Sequence, residues 1–140
     1  MRLMVAYLNR PDGEAALELG FRMAEQLDAG LLIVHAVQAV APHARREEVV
    51  STIQRLQDLR VPEGMKSVPF ETREAVTQRP VAEELIRIAQ EEGIDLLFCG
   101  TRMRTPVGKA FLGSVSQDLI LGAPCPVVTT RDTYGEQRRR

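Results

Sequence analysis

The residues best suited to chemistry lie between two apolar segments in the last third of the chain. A loop rich in glycine, arginine and lysine follows the apolar segment 94–99, and Gly113-Ser114-Val115-Ser116 follows that loop. Glycine-rich turns and the first turn of a helix present backbone N–H groups, which bind anions such as phosphate. The stretch therefore predicts a phosphate-binding loop, but it predicts no reaction.

The histidines and cysteines predict neither a catalytic site nor a metal site. His35 and His43 have no partner at the spacing that metal ligands require. His35 is the lone polar residue of an apolar run, which is typical of a buried core or strand-end histidine. Cys99 and Cys125 lie in apolar strand contexts and are expected to be buried, reduced thiols.

The composition is that of an ordinary globular protein and excludes several functional classes. Eighteen lysines and arginines are balanced by 19 aspartates and glutamates, which leaves a net charge of −1 over 140 residues. A balanced surface does not attract nucleic acid or a membrane, and no apolar stretch approaches the length of a membrane span. The apolar N-terminal segment 1–8 is shorter than the apolar core of a secretion signal and lacks a cleavage site, so we expect no such signal. We expect a cytoplasmic protein with one domain over residues 1–130 and a flexible basic tail over residues 131–140.

Apolar patterning predicts alternating strands and helices. Some strand segments are almost continuously apolar, which is typical of parallel strands buried on both faces. The predicted strands are 3–8, 31–37, 66–75, 94–99 and 127–130, and the helices between them end near residues 29, 60, 93 and 121. This order predicts an open α/β fold, a parallel sheet with helices on both faces. Such sheets bind ligands beyond the carboxyl ends of their strands, and the basic loop leaves the fourth strand at that edge.

The predicted helix ends depend on a few capping residues. Asp12 is expected to be the N-cap of the first helix, and Gly30 its left-handed C-terminal cap. Ser114 can cap the fourth helix without any ligand. In that helix Val115 and Leu119 are expected to face the core.

The loop and its flanks resemble the universal stress protein (UspA-like) family. Nucleotide-binding members carry glycine, two residues, glycine, nine residues, then glycine and serine or threonine. Here Gly100, Met103 and Gly113 stand at that spacing, and a serine follows. The closing segment 123–128 also resembles the family, and the resemblance covers about residues 2–130.

The resemblance implies a fold, a partner and a ligand. It implies the strand order 3-2-1-4-5 and a homodimer in which residues 126–130 pair with their symmetry mates. It also implies that ATP, with Mg²⁺, places its phosphates on the glycine loop and its adenine near the ends of the first, second and fourth strands. Carried over by position, the cofactor-binding residues are Gly100, Arg102, Gly113, Ser114, Val115, Ser116 and Val37.

Three positions depart from the nucleotide-binding members. Met103 replaces the middle glycine and puts a side chain where phosphate approaches the backbone. Leu8 stands where the family has an aspartate that holds ribose and metal, with Asn9 and Asp12 as nearby substitutes. Gln78 stands where a glycine is usual. Each lost charge-assisted contact lowers affinity roughly tenfold to a hundredfold, while the basic side chains of the loop could compensate.

Three functions stay open at this point. The first is a dimeric regulatory or protective module of the stress response that binds an adenine nucleotide. The second is an interaction protein that keeps the fold and the dimer without binding nucleotide, which Met103 and Leu8 favour. The third is a slow ATPase, which needs a base and a metal carboxylate beside the loop; the sequence places neither there.

Overall fold

The fold follows the predicted alternation of strands and helices. The computed structural model describes residues 1–39, 46–101 and 112–131. The strands are β1 (Arg2–Ala6), β2 (Gly30–Gln38), β3 (Phe70–Thr77), β4 (Leu96–Gly100) and β5 (Val127–Thr130). The helices are α1 (Pro11–Leu27), α2 (Arg46–Gln57), α3 (Val81–Glu91) and α4 (Ser114–Gly122). The predicted α/β fold is confirmed.

The five strands form one parallel sheet in the order β3-β2-β1-β4-β5, which confirms the order implied by the family resemblance. β1 is central: Leu3 pairs with Leu31 of β2 on one side and with Leu96 of β4 on the other. The chain moves outward from β1 to β3 and then crosses back to β4. The order therefore reverses between β1 and β4, and a crevice is expected at their carboxyl ends.

Alternating side chains of the central strands build one core on each face of the sheet. On the face covered by α1 and α2, Val5 and Ile33 pack with Phe21. On the face covered by α3 and α4, Leu32 and Leu97 pack with other apolar residues of that cluster. Burial on both faces explains the nearly continuous apolar sequence of the inner strands.

The two edges of the sheet differ in charge. β3 carries Glu71, Arg73 and Glu74, and the Arg73 guanidinium pairs with Glu71 at 3.0 Å and with Glu92 at 2.9 Å. β5 consists of two valines and two threonines and carries no charge. A charged edge discourages pairing with another chain, whereas an uncharged edge permits it.

The predicted caps of the first helix were wrong. α1 begins at Pro11, because proline has no N–H and the N–H of the first helical position has no acceptor within the helix. Asp12 therefore lies inside the first turn. Arg10 occupies the N-cap position. At the other end Asp28 adopts the left-handed conformation, with φ of 53°, while Gly30 already belongs to β2. Short polar side chains tolerate this conformation, so glycine was not required.

Several predicted boundaries moved by a few residues. The edge strand β3 begins at Phe70 rather than at residue 66, and α2 ends at Gln57 rather than near residue 60. The last strand has the predicted bounds. Among the described residues, no helix is long and apolar enough to cross a membrane. The predicted tail, apart from Arg131, lies outside the described residues.

Candidate functional site

A cleft of about 370 Å³ opens at the carboxyl ends of β1, β2 and β4. Its walls come from the start of α1, the N-terminal halves of α2 and α3, and the first turn of α4. Six of the seven residues predicted to bind a cofactor line this cleft: Val37, Gly100, Gly113, Ser114, Val115 and Ser116. The seventh, Arg102, lies outside the described residues, as do Met103, Arg104 and Lys109.

The first turn of α4 forms one wall and offers backbone donors. Gly113 stands at the N-cap position, where the described residues provide no side-chain cap. Ser114 is the first helical residue, so the prediction that it caps the helix was wrong. The N–H groups of the first turn have no intrahelical acceptor in any α-helix, and here they belong to residues that line the cleft. This arrangement favours an anion.

The phase of α4 also differs from the prediction. Leu119 is fully buried, as predicted, but Val115 is 39% exposed and lines the cleft instead of facing the core. Ser116 takes the inward position, where its hydroxyl donates a 2.7 Å hydrogen bond to the Gly100 carbonyl. Ser116 therefore fastens α4 to the end of β4.

Gly100 is required because α1 approaches the end of β4 very closely. A Cβ at this position would lie 2.2 Å from Asp12 Oδ2 and 2.9 Å from the Asp12 carbonyl carbon. Gly13, the residue after Asp12, has no room for a side chain either, since its Cβ would lie 2.0 Å from the Leu8 carbonyl oxygen. Two glycines thus allow the start of α1 to pack directly against the carboxyl ends of β1 and β4.

The approach of α1 also decides which residue near Leu8 supplies a carboxylate to the cleft. Leu8 itself lines the cleft, and so does the buried Asp12. Asn9 is not among the lining residues; its backbone N–H donates to Thr52 Oγ1 at 3.1 Å. Of the two substitutes weighed from the sequence, Asp12 is the one that the fold brings into the cleft.

Arg10 was missed in the sequence analysis, yet it lines the cleft. Its side chain is 22% exposed, and its Nη2 donates to Asp12 Oδ2 at 3.3 Å. Its Nη1 lies 3.8 Å from Glu48 Oε1 on α2. Its Nε and Nη1 are buried and have no hydrogen-bond partner among the described residues. A positive charge in a proline-containing turn was the only sequence signal.

His35 is a buried residue that also lines the cleft. The residue is 1% exposed, and in the part of the chain that the structure describes its Nε2 has no hydrogen-bond partner. Burial lowers the pKa of His35, and the nearby carboxylates Glu74 and Glu48 only partly oppose that shift. His35 is therefore neutral near pH 7. Its polarity within an apolar strand was the signal available in the sequence.

Two further side chains in the cleft bear on its reactivity. Burial raises the pKa of Cys99 to about 11, so the thiol is protonated and a poor nucleophile at neutral pH. Tyr7 donates its hydroxyl to Glu14, and burial together with this bond raises its pKa well above the usual range. Across residues 1–39, 46–101 and 112–131, no three histidine, cysteine or acidic side chains are placed to hold a metal ion.

Comparison with known proteins assigns the family. The sequence profile of the universal stress protein family matches residues 1–131. The chain belongs to the universal stress protein family. A universal stress protein of Mycolicibacterium smegmatis is 38% identical over 133 residues, which cover 92% of this chain and 96% of the relative. The family resemblance predicted from the sequence is confirmed.

Solved structures of universal stress proteins share the fold. UspA of Lactobacillus plantarum superposes with a TM-score of 0.73 at 18% identity, covering 94% of this chain and 97% of its own. A universal stress protein of Archaeoglobus fulgidus in complex with dAMP gives 0.67 at 19% identity, covering 92% and 95%. A universal stress protein in complex with cAMP gives 0.70 at 20% identity, covering 94% and 97%.

Proposed function

We propose that this universal stress protein is a cytoplasmic, dimeric regulatory module that binds an adenine nucleotide, such as ATP, in the cleft. The observation that carries the proposal is the first turn of α4, whose N–H groups stand at the wall of a cleft of nucleotide size. Phosphates would lie against Gly113 and Ser114, and the base would lie toward Val37 at the end of β2. The dAMP and cAMP complexes of proteins with this fold support the choice of ligand.

The proposal assigns no reaction to the cleft. The Cys99 thiol is protonated at neutral pH, and the His35 Nε2 has no hydrogen-bonded nucleophile among the described residues. A general base must lie within hydrogen-bond reach of the group from which it takes a proton. Binding of the nucleotide, rather than its hydrolysis, is therefore the proposed activity.

The test is a calorimetric titration of the purified protein with ATP and with adenosine, after denaturation of a sample to release and identify any bound nucleotide. Ser114→Asp places a negative charge on an exposed residue of the α4 first turn, where it stabilises the helix but repels phosphate. We expect this variant to weaken ATP binding about tenfold or more and to leave adenosine binding unchanged. Gln90→Glu, on an exposed position of α3 outside the cleft, is the matched control.

Two results would contradict the nucleotide proposal. One is the absence of heat for ATP and adenosine together with the absence of released nucleotide. The other is equal loss of ATP binding in Ser114→Asp and Gln90→Glu, which would mean that the effect does not arise at α4. In the first case the second function, a dimeric interaction protein without nucleotide, would take its place.

The proposed dimer rests on the uncharged edge strand β5 and on the exposed apolar residues Ile120 and Leu121, which are 46% and 86% exposed. Within the sheet, Leu97 donates to the Pro126 carbonyl and Thr101 donates to the Thr130 carbonyl. Successive residues of a strand point their backbone groups to opposite sides. The N–H of Thr129 therefore points away from β4 and toward the open edge. Thr129 is exposed, so its substitution leaves the core unchanged.

Thr129→Pro removes that outward donor and tests the dimer. Proline is tolerated on an edge strand when its missing N–H faces solvent, so we expect the fold to survive and the dimer dissociation constant to rise at least tenfold. Thr129→Val keeps the N–H and is the matched control. Sedimentation velocity over a range of concentrations measures both. A proline variant that stays as dimeric as the valine variant would exclude pairing through β5.

A further inference from the structure

The cleft contains the unpartnered buried polar atoms of the described part of the chain. Three side-chain nitrogens there are buried without a hydrogen bond: Nε and Nη1 of Arg10 and Nε2 of His35. Both residues line the cleft. A buried donor without an acceptor costs roughly 1–3 kcal/mol, and such atoms are rare enough in native proteins to call for an explanation. A ligand that accepts hydrogen bonds would provide one.

The present partners of Arg10 hold it weakly. Its Nη2 is 3.3 Å from Asp12 Oδ2 and its Nη1 is 3.8 Å from Glu48 Oε1. Charge-assisted hydrogen bonds between guanidinium and carboxylate groups are usually about 2.7–2.9 Å long. The guanidinium is thus positioned by two carboxylates but is bonded closely to neither. Phosphate oxygens, which match the geometry of a guanidinium, can take up its unused donors.

Arg10 also lies beside the wall where the phosphates are proposed to bind. Arg10 contacts Asp12, and a Cβ on Gly100 would touch the same Asp12 oxygen. The Gly100 carbonyl in turn accepts the hydrogen bond from Ser116 in the first turn of α4. This chain of contacts links the guanidinium to the α4 N-terminus through Asp12 in α1 and Gly100 at the end of β4. A phosphate bound there would accept hydrogen bonds from the guanidinium on one side and from the first-turn N–H groups of α4 on the other, close to the carboxylates of Asp12 and Glu48.

The same geometry argues against a divalent cation at this side of the cleft. The carboxylates that line the cleft are Asp12 and Glu48, and each already faces Arg10. The guanidinium engages both carboxylates, whereas its own Nε and Nη1 have no hydrogen-bond acceptor among the described residues. The unused bonding capacity on this side of the cleft is therefore that of hydrogen-bond donors, which a phosphate oxygen can accept and Mg²⁺ cannot.

We propose that Arg10 binds the phosphate of the ligand directly, in place of a divalent cation, so that the cleft takes up metal-free nucleotide. The inference rests on the proposed nucleotide function and specifies how its anionic part is recognised. It gives a role to a residue that the family motif does not contain.

The experiment titrates the full-length protein with ATP in EDTA, with ATP in excess Mg²⁺, and with adenosine in both buffers. We expect ATP in EDTA to bind at least as tightly as ATP in Mg²⁺. Arg10→Gln should weaken binding of metal-free ATP at least tenfold and leave adenosine affinity within about twofold, because one charge-assisted contact is worth that much. Arg10→Lys keeps the charge without the planar fork and should give an intermediate loss.

Arg22→Gln is the matched control, because Arg22 pairs with Glu18 on the same helix and does not line the cleft. Adenosine affinity serves as a readout of folding in each variant. Binding of ATP only in Mg²⁺, or an Arg10→Gln affinity equal to that of Arg22→Gln, would overturn the inference while the nucleotide function stands. Failure of the unmodified protein to bind either ATP or adenosine would overturn the proposed function itself.

Discussion

Two polar clusters lie near the carboxyl end of β1, and they differ in how many of their polar groups are hydrogen-bonded. In the first, the buried Tyr7 hydroxyl donates to Glu14, and Arg55 donates to both oxygens of the same carboxylate at 3.0 and 3.2 Å. In the second, three buried nitrogens of Arg10 and His35 have no hydrogen-bond partner within residues 1–39, 46–101 and 112–131. The first cluster joins α1, α2 and β1, whereas the second opens into the cleft.

The first cluster stabilises the fold, whereas the second has polar groups available for a ligand. Removing one member of a fully hydrogen-bonded cluster lowers the free energy of unfolding of the protein, because the remaining buried groups lose their partners. An unsatisfied cluster loses little stability when it is altered, since its bonds are not yet made. The two clusters should therefore respond in opposite ways to substitution and to ligand.

Gly13→Ala should produce the largest effect, because it disturbs the frame that positions both clusters. The new Cβ would lie 2.0 Å from the Leu8 carbonyl oxygen, which is backbone and cannot rotate away. We expect a loss of about 2–3 kcal/mol in the free energy of unfolding in urea. Gly30→Ala is the control, since the nearest heavy atom to its Cβ is 3.9 Å away. Equal stability of the two variants would show that α1 is not packed as described.

Glu14→Ala tests the satisfied cluster alone. It leaves the hydroxyl of Tyr7, a residue that is 1% exposed, without its acceptor, so we expect a loss of about 1–3 kcal/mol. Adding Tyr7→Phe should recover part of that loss, because the unpaired hydroxyl is then absent. Glu18→Ala removes an exposed carboxylate from the same helix and should change stability by less than about 0.5 kcal/mol. Chemical denaturation of the four proteins measures the coupling; a loss that Tyr7→Phe does not reduce would contradict it.

Ser116→Ala and Ser114→Ala carry the comparison into α4. Ser116 loses a 2.7 Å hydrogen bond to the Gly100 carbonyl, which should cost about 0.5–1.5 kcal/mol. Ser114 is exposed and is not a cap, so Ser114→Ala should change the free energy of unfolding by less than about 0.5 kcal/mol. The same variant should weaken the binding of phosphate. Thermal unfolding with and without ATP separates the two effects. A larger stability loss in Ser114→Ala would restore its role as a cap.

The smallest effect concerns pH and the unsatisfied cluster. Burial lowers the pKa of His35 in the folded protein, so the unfolded chain binds a proton more readily. Stability should therefore be complete above the unfolded pKa of about 6.5 and fall as the pH decreases below it. His35→Leu should flatten that decline, measured as urea midpoints between pH 7.5 and 5. An unchanged slope would mean that other groups set the acid response.

The sequence was sufficient for those features that depend on local patterning. Residues 127–130 form the last strand with the predicted bounds, because a short apolar run follows two prolines. The glycine and serine of the α4 first turn were placed correctly at the edge where ligands bind in such sheets, because parallel strands end together. Repetition of strand and helix fixed the fold class in the same way.

The features that failed depend on contacts between distant segments. The fourth helix is apolar on several sides, so its sequence does not decide whether Val115 or Ser116 faces inward; the Gly100 carbonyl decides it. The sequence around Arg10 is typical of a solvent-exposed turn. Only in the folded protein does Glu48 of α2 lie beside its guanidinium. The lack of a hydrogen-bond partner for His35 Nε2 among the described residues follows from its burial by apolar strands, which the sequence around it does not show.

The unequal edges of the sheet set a limit on assembly. A protein with two uncharged edges can add copies at both ends and grow into a filament, whereas one with a single permissive edge has only one place to add a copy. Here β3 presents glutamates and an arginine, and β5 presents valines and threonines. In the proposed dimer, pairing through β5 about a two-fold axis consumes the permissive edge, so growth of the sheet would end at ten strands.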